Sequence, residues 1–177
     1  MEKKIITPVV GGILLGLISV ILFLAYYFSG ILFDSTNPLR WVPSLVQIIL
    51  LIILVIKWAN DKLNDVTFGN CFGYGFKMVA MSAIISFFFM LVFILITPDF
   101  KAQFLESSRQ QMEKNAGNVQ LTDEQKAQGI ALMNKMFMII MLGGSLIGNL
   151  FLGALGSLLG AAFAKKNPKT PFENPVV

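Results

Sequence analysis

The chain has 177 residues, of which 55% are hydrophobic, and a mean hydropathy of +0.72. Little polar sequence remains for a soluble domain beside membrane-spanning segments, so we expect a single membrane domain over 1–177. The sequence contains no histidine, which excludes catalysis and zinc binding that depend on this residue. The net charge of +4 does not indicate nucleic-acid binding, because the basic residues lie in small groups at the ends of apolar runs, a pattern typical of membrane topology.

Four stretches lack Asp, Glu, Lys and Arg altogether, namely 5–33, 41–56, 78–98 and 136–164. A helix needs about 20 mostly apolar residues to cross the hydrocarbon core of a bilayer, and three stretches are longer than this while the second comes close. We therefore predict an all-α fold, an integral membrane four-helix bundle in the lipid bilayer. Its spans are expected at about 8–33, 41–58, 76–97 and 134–164.

The first span is predicted to begin at Thr7-Pro8, because threonine caps helices and proline is favoured at the first helical position. Its apolar run continues to Phe33 and its end is aromatic, whereas a cleaved signal peptide has a shorter run and small residues at the cleavage site. We therefore expect it to remain attached as a span. Turn-forming residues at 34–38 predict a short loop before the second helix.

An aromatic and glycine-rich stretch precedes the third span. Phe68, Phe72 and Phe76 recur every four residues beside Gly69 and Gly73. On a helix this spacing predicts an aromatic stripe beside a small-residue stripe, suited to lying at the membrane interface before the third span. The glycine spacing does not match a phosphate-binding loop.

The longest polar segment, 98–133, carries two helix-start signals. Thr97-Pro98 predicts a helix that Gly117 ends, and the Thr122…Gln125 spacing predicts a capping box whose helix continues directly into the fourth span. We expect a helical excursion outside the membrane, lying against the membrane surface or the bundle because its apolar residues recur at helical spacing.

Lysines are concentrated at the N-terminus, in the 57–77 connection and in the 165–177 tail. In the other loops most bases lie far from the membrane or beside acids. The positive-inside rule therefore predicts cytoplasmic termini, a cytoplasmic tail at 165–177 and an extracytoplasmic 98–133 excursion.

Small residues four apart allow two helices to approach closely in lipid. This spacing occurs in the first span and twice in the fourth, at Gly12, Gly16, Gly144, Gly148, Gly156 and Gly160. Two interpretations stay open: packing of the first helix on the fourth within one subunit, and a surface for dimerisation or for sliding during transport.

Two polar residues lie within apolar spans, Gln47 and Asn149. Each amide can donate and accept, so we expect an interhelical hydrogen bond from each side chain, with the lining of a polar pocket as the alternative.

No other residues point to a reaction or a metal. Cys71 is the single cysteine and has no second soft ligand nearby, and Asp61 and Asp65 are neutralised by Lys57 and Lys62 on a solvated helix face. The acids of the 98–133 segment are interleaved with bases, and their spacing selects no pair. We expect no catalytic residue, no metal site and no cofactor.

Several of these features together resemble a known family. They are the four spans, the sequence TFGNCFGYGFK at 67–77, the polar helical excursion after Thr97-Pro98, and a glycine-rich fourth span ending in AAFAKK at 161–166. This arrangement resembles the bacterial membrane family called domain of unknown function 4199, over nearly the whole chain. The resemblance implies a small inner-membrane protein of Gram-negative bacteria without an assigned activity, so it supplies no functional residues.

From these patterns we expect a non-enzymatic inner-membrane protein that acts by association, as an accessory or scaffold subunit, through its glycine faces and its outer excursion. The alternative is a small transporter or lipid-handling protein that works as a homo-oligomer. The lack of charges inside the spans counts against ion coupling and leaves uncharged or lipid-like substrates open. An intramembrane enzyme is least expected, because the spans contain no histidine and no carboxylate.

Overall fold

The computed structural model describes residues 5–34, 36–62, 65–115 and 122–165. In these ranges the chain is helical without any strand, which confirms the predicted all-α fold. The α-helices are α1 (Pro8–Phe28), α2 (Val42–Asp61), α3 (Phe68–Ile96), α4 (Pro98–Asn115), α5 (Asp123–Lys135) and α6 (Phe137–Phe163). Helices α1, α2, α3 and α6 are long and apolar enough to cross a membrane, so the protein is a membrane helical bundle.

Local sequence signals set the ends of α1, which starts where expected and ends earlier than expected. The Thr7 hydroxyl oxygen accepts a hydrogen bond from the backbone N–H of Val10 at 3.3 Å. The helix ends at Phe28 because Gly30 takes a left-handed conformation, with φ of 74°. Residues Ile31–Phe33 and Pro38–Trp41 form 3-10 turns on either side of the loop.

The aromatic and glycine-rich stretch is continuous with the third span and forms the first turns of its helix. Helix α3 starts at Phe68, where the Thr67 hydroxyl accepts from the backbone N–H of Asn70 at 3.2 Å. Its 29 residues give a length of about 43 Å, more than the ~30 Å hydrocarbon core. The first turns of α3 therefore extend to the interface instead of forming a separate segment.

Between α3 and α6 the chain folds back in two helices that pack on each other, α4 and α5. The predicted capping box at Thr122 and Gln125 is present, with both reciprocal hydrogen bonds formed. Helix α5 does not continue straight into the fourth span, because a turn at Met136 separates it from α6. Gly117 and nearly all of the predicted tail lie outside the described residues.

Helix α3 is central to the bundle and packs on both α1 and α6, and α2 packs chiefly on α6. The bundle thus has two ends. We call the end with Lys57, Lys62, Lys77 and Lys165 the lysine end, and the opposite end, which carries the two extra helices, the α4–α5 end. In the half of the bundle next to the lysine end, which we call the lysine half, close packing buries Val55, Ala59, Cys71, Met78 and Ala161 completely.

At the α4–α5 end, an aromatic cluster attaches α4 to the bundle. Phe100 of α4 is only 2% exposed, and its ring centroid lies 5.3 Å from Phe93 and 5.9 Å from Tyr27. The Ser107 hydroxyl also donates to the Phe33 carbonyl oxygen at 2.9 Å. Helix α4 therefore lies against the bundle, one of the two placements expected from its apolar spacing.

Candidate functional site

A cavity of about 490 Å³ lies between the four spans in the α4–α5 half of the bundle. Its inner part is lined by hydroxyl and amide side chains, Ser19, Gln47, Ser86 and Asn149, and its walls by the apolar residues Val20, Phe23, Phe89 and Met90. Towards the α4–α5 end it is bordered by Tyr26, Leu32, Arg40 and Gln111. This volume lies within the usual range of small-molecule sites, about 300–1,000 Å³.

The inner part of the cavity lies near the middle of the bilayer. Ser19 lies about 16 Å along α1 from Pro8, and Asn149 lies about 18 Å along α6 from Phe137, at 1.5 Å per residue. Both side chains are thus near the midpoints of helices that cross a ~30 Å core. A polar group at this depth has no bulk water around it and needs a partner inside the protein or the cavity.

Gln47 has such a partner. Its amide Nε2 donates to the Ser19 hydroxyl, which in turn donates to the Leu15 carbonyl oxygen at 2.7 Å. This chain of hydrogen bonds connects α2 to α1. Gln47 therefore combines both sequence interpretations, an interhelical bond and the lining of a polar pocket.

Asn149 differs from Gln47, because it forms no hydrogen bond with any part of the chain that the structure describes, contrary to the expected bond to a neighbouring helix. The Ser86 hydroxyl oxygen is buried and likewise has no partner among the described residues. Both line the same cavity. The Ser86 oxygen has almost no accessible surface, so the unpartnered group that water or a ligand in the cavity can reach is the Asn149 amide.

The glycines of α6 explain why this half of the bundle is open. A Cβ added at Gly143, Gly144 or Gly148 would meet no atom within 4 Å, whereas one added at Gly153 would lie 2.8 Å from Val79 Cβ. Helix α6 is thus in close contact with its neighbours in the lysine half and stands away from them at Gly148, which lines the cavity. The separation also leaves the Asn149 amide without an interhelical partner among the described residues.

The predicted small-residue pairs therefore divide into two groups. An added Cβ would lie 2.6 Å from the Met78 carbonyl oxygen at Gly12 and 3.0 Å from Ile85 Cβ at Gly16, so this pair packs on α3 and not on α6 as expected. A Cβ added at Gly156 would lie 2.9 Å from Leu51 Cδ2, and one at Gly160 would lie 3.0 Å from Val55 Cβ, so this pair packs on α2. These four glycines serve packing inside the subunit, and the first pair does not meet α6 because α3 lies between α1 and α6. Gly144 and Gly148 make no such contact.

Towards the lysine end the cavity is closed by tight packing. Leu51, Val55, Met78 and Ser157 are each at most 2% exposed, and the Ser157 hydroxyl donates to the Gly153 carbonyl oxygen at 2.7 Å. A void of about 30 Å³ adjoins the inner part, next to Gln47 and Asn149. The described residues thus close the cavity towards the lysine end, and its lining reaches the α4–α5 end at Arg40 and Gln111.

Charge is confined to the border of the cavity. Arg40 is the only charged side chain among the described lining residues, and its guanidinium lies over the Trp41 ring at 5.1 Å from the centroid. In the adjoining loop, hydrogen bonds from the Thr36 hydroxyl and backbone N–H, at 2.6 and 2.9 Å, lower the pKa of Asp34. The inner part of the cavity is neutral.

In the ranges that the structure describes, no three Cys, Asp or Glu residues come close enough to hold a metal ion. Cys71 is buried in the core of the lysine half. Sequence reasoning missed Ser19 and Ser86 as lining residues, because serines in membrane helices commonly bond to their own backbone. Their positions relative to Gln47 and Asn149 depend on how four separate helices are rotated, which no local pattern encodes.

A family model described as a protein of unknown function, DUF4199, matches residues 11–166. This range contains every residue that lines the cavity. No curated protein and no solved structure matches the chain.

Proposed function

We propose that this chain, which belongs to the DUF4199 family of proteins of unknown function, is a non-enzymatic membrane protein that binds a small uncharged polar ligand in its cavity. The proposed role is that of a small transporter or a lipid-handling protein. The observation that carries the proposal is the Asn149 amide, which lines the cavity near the midpoint of α6 and has no hydrogen-bond partner among the described residues.

The chemistry of the lining supports a neutral ligand. Amide and hydroxyl groups both donate and accept, so they complement a hydroxyl, amide or ester group on the ligand. A charged ligand would have to leave water without a counter-charge in the inner part, which is costly at this depth. The apolar walls formed by Phe23 and Met90 complement an apolar part of the same molecule.

The lining also supports a binding role over an enzymatic one. Its inner part holds hydroxyls and amides, and the whole chain has no histidine to activate them. A serine without a base is a weak nucleophile.

Water access to the cavity is the first test, and it uses matched serine-to-cysteine variants in a Cys71→Ser background. Ser145 lines the cavity and Ser157 is completely buried on the same helix. We expect a small water-soluble thiol reagent to modify Ser145→Cys rapidly and Ser157→Cys hardly at all. Equal reactivity of the two variants, or an unreactive Ser145→Cys, would contradict an accessible polar cavity.

Ligand binding is tested by protection of the same cysteine. Glycerol or urea should slow the modification of Ser145→Cys, whereas choline and a polyethylene glycol of equal osmolality should not. The Asn149→Leu exchange should remove this protection, and Gly144→Ala, on the same helix and outside the lining, should retain it. If neither neutral compound protects, the neutral-ligand proposal fails.

A second candidate, association through α6, is supported by a different observation. Gly144, Ile147 and Phe151 share one helix face, no atom lies within 4 Å of the Gly144 Cβ position, and the other two are 70% and 64% exposed. Such a face allows close approach of a second copy of the chain in lipid, which is the accessory or scaffold role. Gly144→Leu should then reduce the oligomer size in mild detergent, and an unchanged size would remove the support. Gly160→Leu is unsuitable, because Gly160 packs on Val55 inside the subunit.

For location, we propose a bacterial inner membrane with cytoplasmic termini. The grouping of Lys57, Lys62, Lys77 and Lys165 at one end of the bundle supports this orientation. The cavity would then open to the extracytoplasmic side. A C-terminal green fluorescent protein fusion should fluoresce and a C-terminal alkaline phosphatase fusion should be inactive; the reverse pattern would invert the orientation.

A further inference from the structure

A second concave site lies at the lysine end, far from the cavity. It is a groove of about 780 Å³ between the segment 5–8, the end of α2 and the first turns of α3. We call it the lysine-end groove. It shares no lining residue with the cavity, so binding in the groove is independent of the proposed function.

The floor of the groove lacks side chains along two turns of α3. A Cβ at Gly73 would meet no atom within 4 Å, and one at Gly69 would meet only the Thr67 hydroxyl oxygen, at 3.8 Å. Space is therefore left beside the helix backbone, one turn before Lys77 on the same helix face.

One wall of the groove is aromatic and held in place. The rings of Trp58 and Tyr74 are stacked, with centroids 4.5 Å apart and planes within 12°. The Tyr74 hydroxyl donates to the Ile6 carbonyl oxygen at 2.8 Å, which ties the start of the chain to α3. Tryptophan and tyrosine in this position are typical of the boundary between lipid tails and headgroups.

The charges that face the groove are mainly positive. Lys62 and Lys77 both line it and are exposed, and neither takes part in a salt bridge with the described residues. Asp65 is the one carboxylate among the described lining residues. Asp61 and Lys57 lie on the last turns of α2 and are not among the lining residues of the groove.

We propose that the lysine-end groove binds the phosphate headgroup of an anionic phospholipid. Lys62 and Lys77 supply the charge, the side-chain-free floor admits the headgroup, and the wall of Trp58 and Ile6 accommodates the glycerol and upper acyl region. Basic pockets between helices at the membrane surface are suited to such headgroups. Phosphate is the group recognised, and the apolar wall assigns it to a lipid.

The two tryptophans of the chain allow a direct measurement. Trp41 lies at the α4–α5 end, so the Trp41→Phe protein reports from Trp58 in the groove alone. The full chain with this exchange is placed in phosphatidylcholine bilayers, and brominated phosphatidylglycerol or brominated phosphatidylcholine is added as the quencher.

We expect brominated phosphatidylglycerol to quench Trp58 at about one fifth of the concentration that brominated phosphatidylcholine needs. This factor corresponds to about one net positive charge near the surface, since Asp65 offsets one of the two lysines that line the groove. Lys62→Gln combined with Lys77→Gln should abolish the preference. Lys114→Gln combined with Lys135→Gln, the same charge change on exposed residues at the other end, should preserve it. Raising the salt concentration to about 1 M should weaken it, because the Debye length falls to about 3 Å.

The proposal fails if Trp58 shows no preference for brominated phosphatidylglycerol, or if the preference survives the loss of both lysines. It also fails if inorganic phosphate displaces the brominated lipid, because the groove would then bind the free anion. Lys62→Arg combined with Lys77→Arg keeps the charge and should keep the preference. If the glutamine pair unfolds, this arginine pair decides, since loss of preference in a folded arginine protein would also exclude a charge-based phosphate site.

Discussion

The contrast between Gly153 and Gly144 yields a quantitative prediction about the close contact of α6 with α3. A Cβ at Gly153 would lie 2.8 Å from Val79 Cβ and closer still to both valine methyl groups, against ordinary carbon contacts of about 3.5–4.0 Å. Rotation of the valine cannot relieve the contact with Cβ, so the two helices must separate. Overpacking of this kind costs about 1–3 kcal/mol.

Gly144 is the matched control, because it lies on the same helix with no atom within 4 Å of its Cβ position. Alanine gains up to about 1 kcal/mol over glycine in helix propensity at both positions, so this gain cancels between the two variants. We expect Gly144→Ala to be at least as stable as the wild type, and Gly153→Ala to be less stable than Gly144→Ala by about 1–3 kcal/mol.

The free energy of unfolding is measured by titration with dodecyl sulfate in mixed micelles, followed by tryptophan fluorescence. Val79→Ala in the Gly153→Ala background should restore part of the loss, since it removes both methyl groups that clash. Equal stability of the two alanine variants would refute the close α3–α6 contact. A loss that Val79→Ala leaves unchanged would refute Val79 as its cause.

Three further predictions concern other contacts. Phe100→Ala should lower the free energy of unfolding by about 3–5 kcal/mol, because the ring is 2% exposed, and should increase hydrogen exchange in α4. Thr36→Val removes the hydroxyl that donates to Asp34, so the pKa of Asp34 should rise towards 3.8 in an NMR titration. Because folding lowers this pKa, the ionised Asp34 stabilises the fold above pH 3.8, and this stabilisation is lost as the pH falls through the folded pKa. The Thr36→Val variant should therefore lose less stability than the wild type over the same pH range. A double-mutant cycle of Gln47→Leu and Ser19→Ala should give a coupling energy of about 0.6–1.7 kcal/mol in dodecyl sulfate unfolding, and zero coupling would exclude a stabilising bond.

Much of the architecture could be predicted from local sequence. The charge-free runs located the four apolar helices, and the signals at Thr7 and Thr122 marked helix starts that the structure contains. The stretch at 67–77 was predicted only conditionally as a helix that leads into the third span, and in the structure Thr67 caps one continuous helix, Phe68–Ile96, despite glycines at 69, 73 and 75. Glycine weakens a helix without ending it, so its presence alone does not decide a boundary.

The candidate site was predictable only in part. Gln47 and Asn149 stand out in apolar runs, and polar residues in such runs must face something other than lipid. Their different surroundings, a hydrogen bond for Gln47 and none to the described residues for Asn149, follow from the separation of α6 from its neighbours. Ser19 and Ser86 carried no distinguishing signal.

The sequence by itself determined that this protein is an all-α membrane bundle, because hydrocarbon offers no hydrogen-bond partner to a backbone and apolar runs of sufficient length must become helices. Only the tertiary structure decided that α3 packs between α1 and α6, that Gly12 and Gly156 face different neighbours, and that a polar cavity opens beside Asn149. The small-residue spacing is the same at Gly144 and Gly156, but whether another helix lies against it depends on crossing angles, which are set by the summed packing of all the spans.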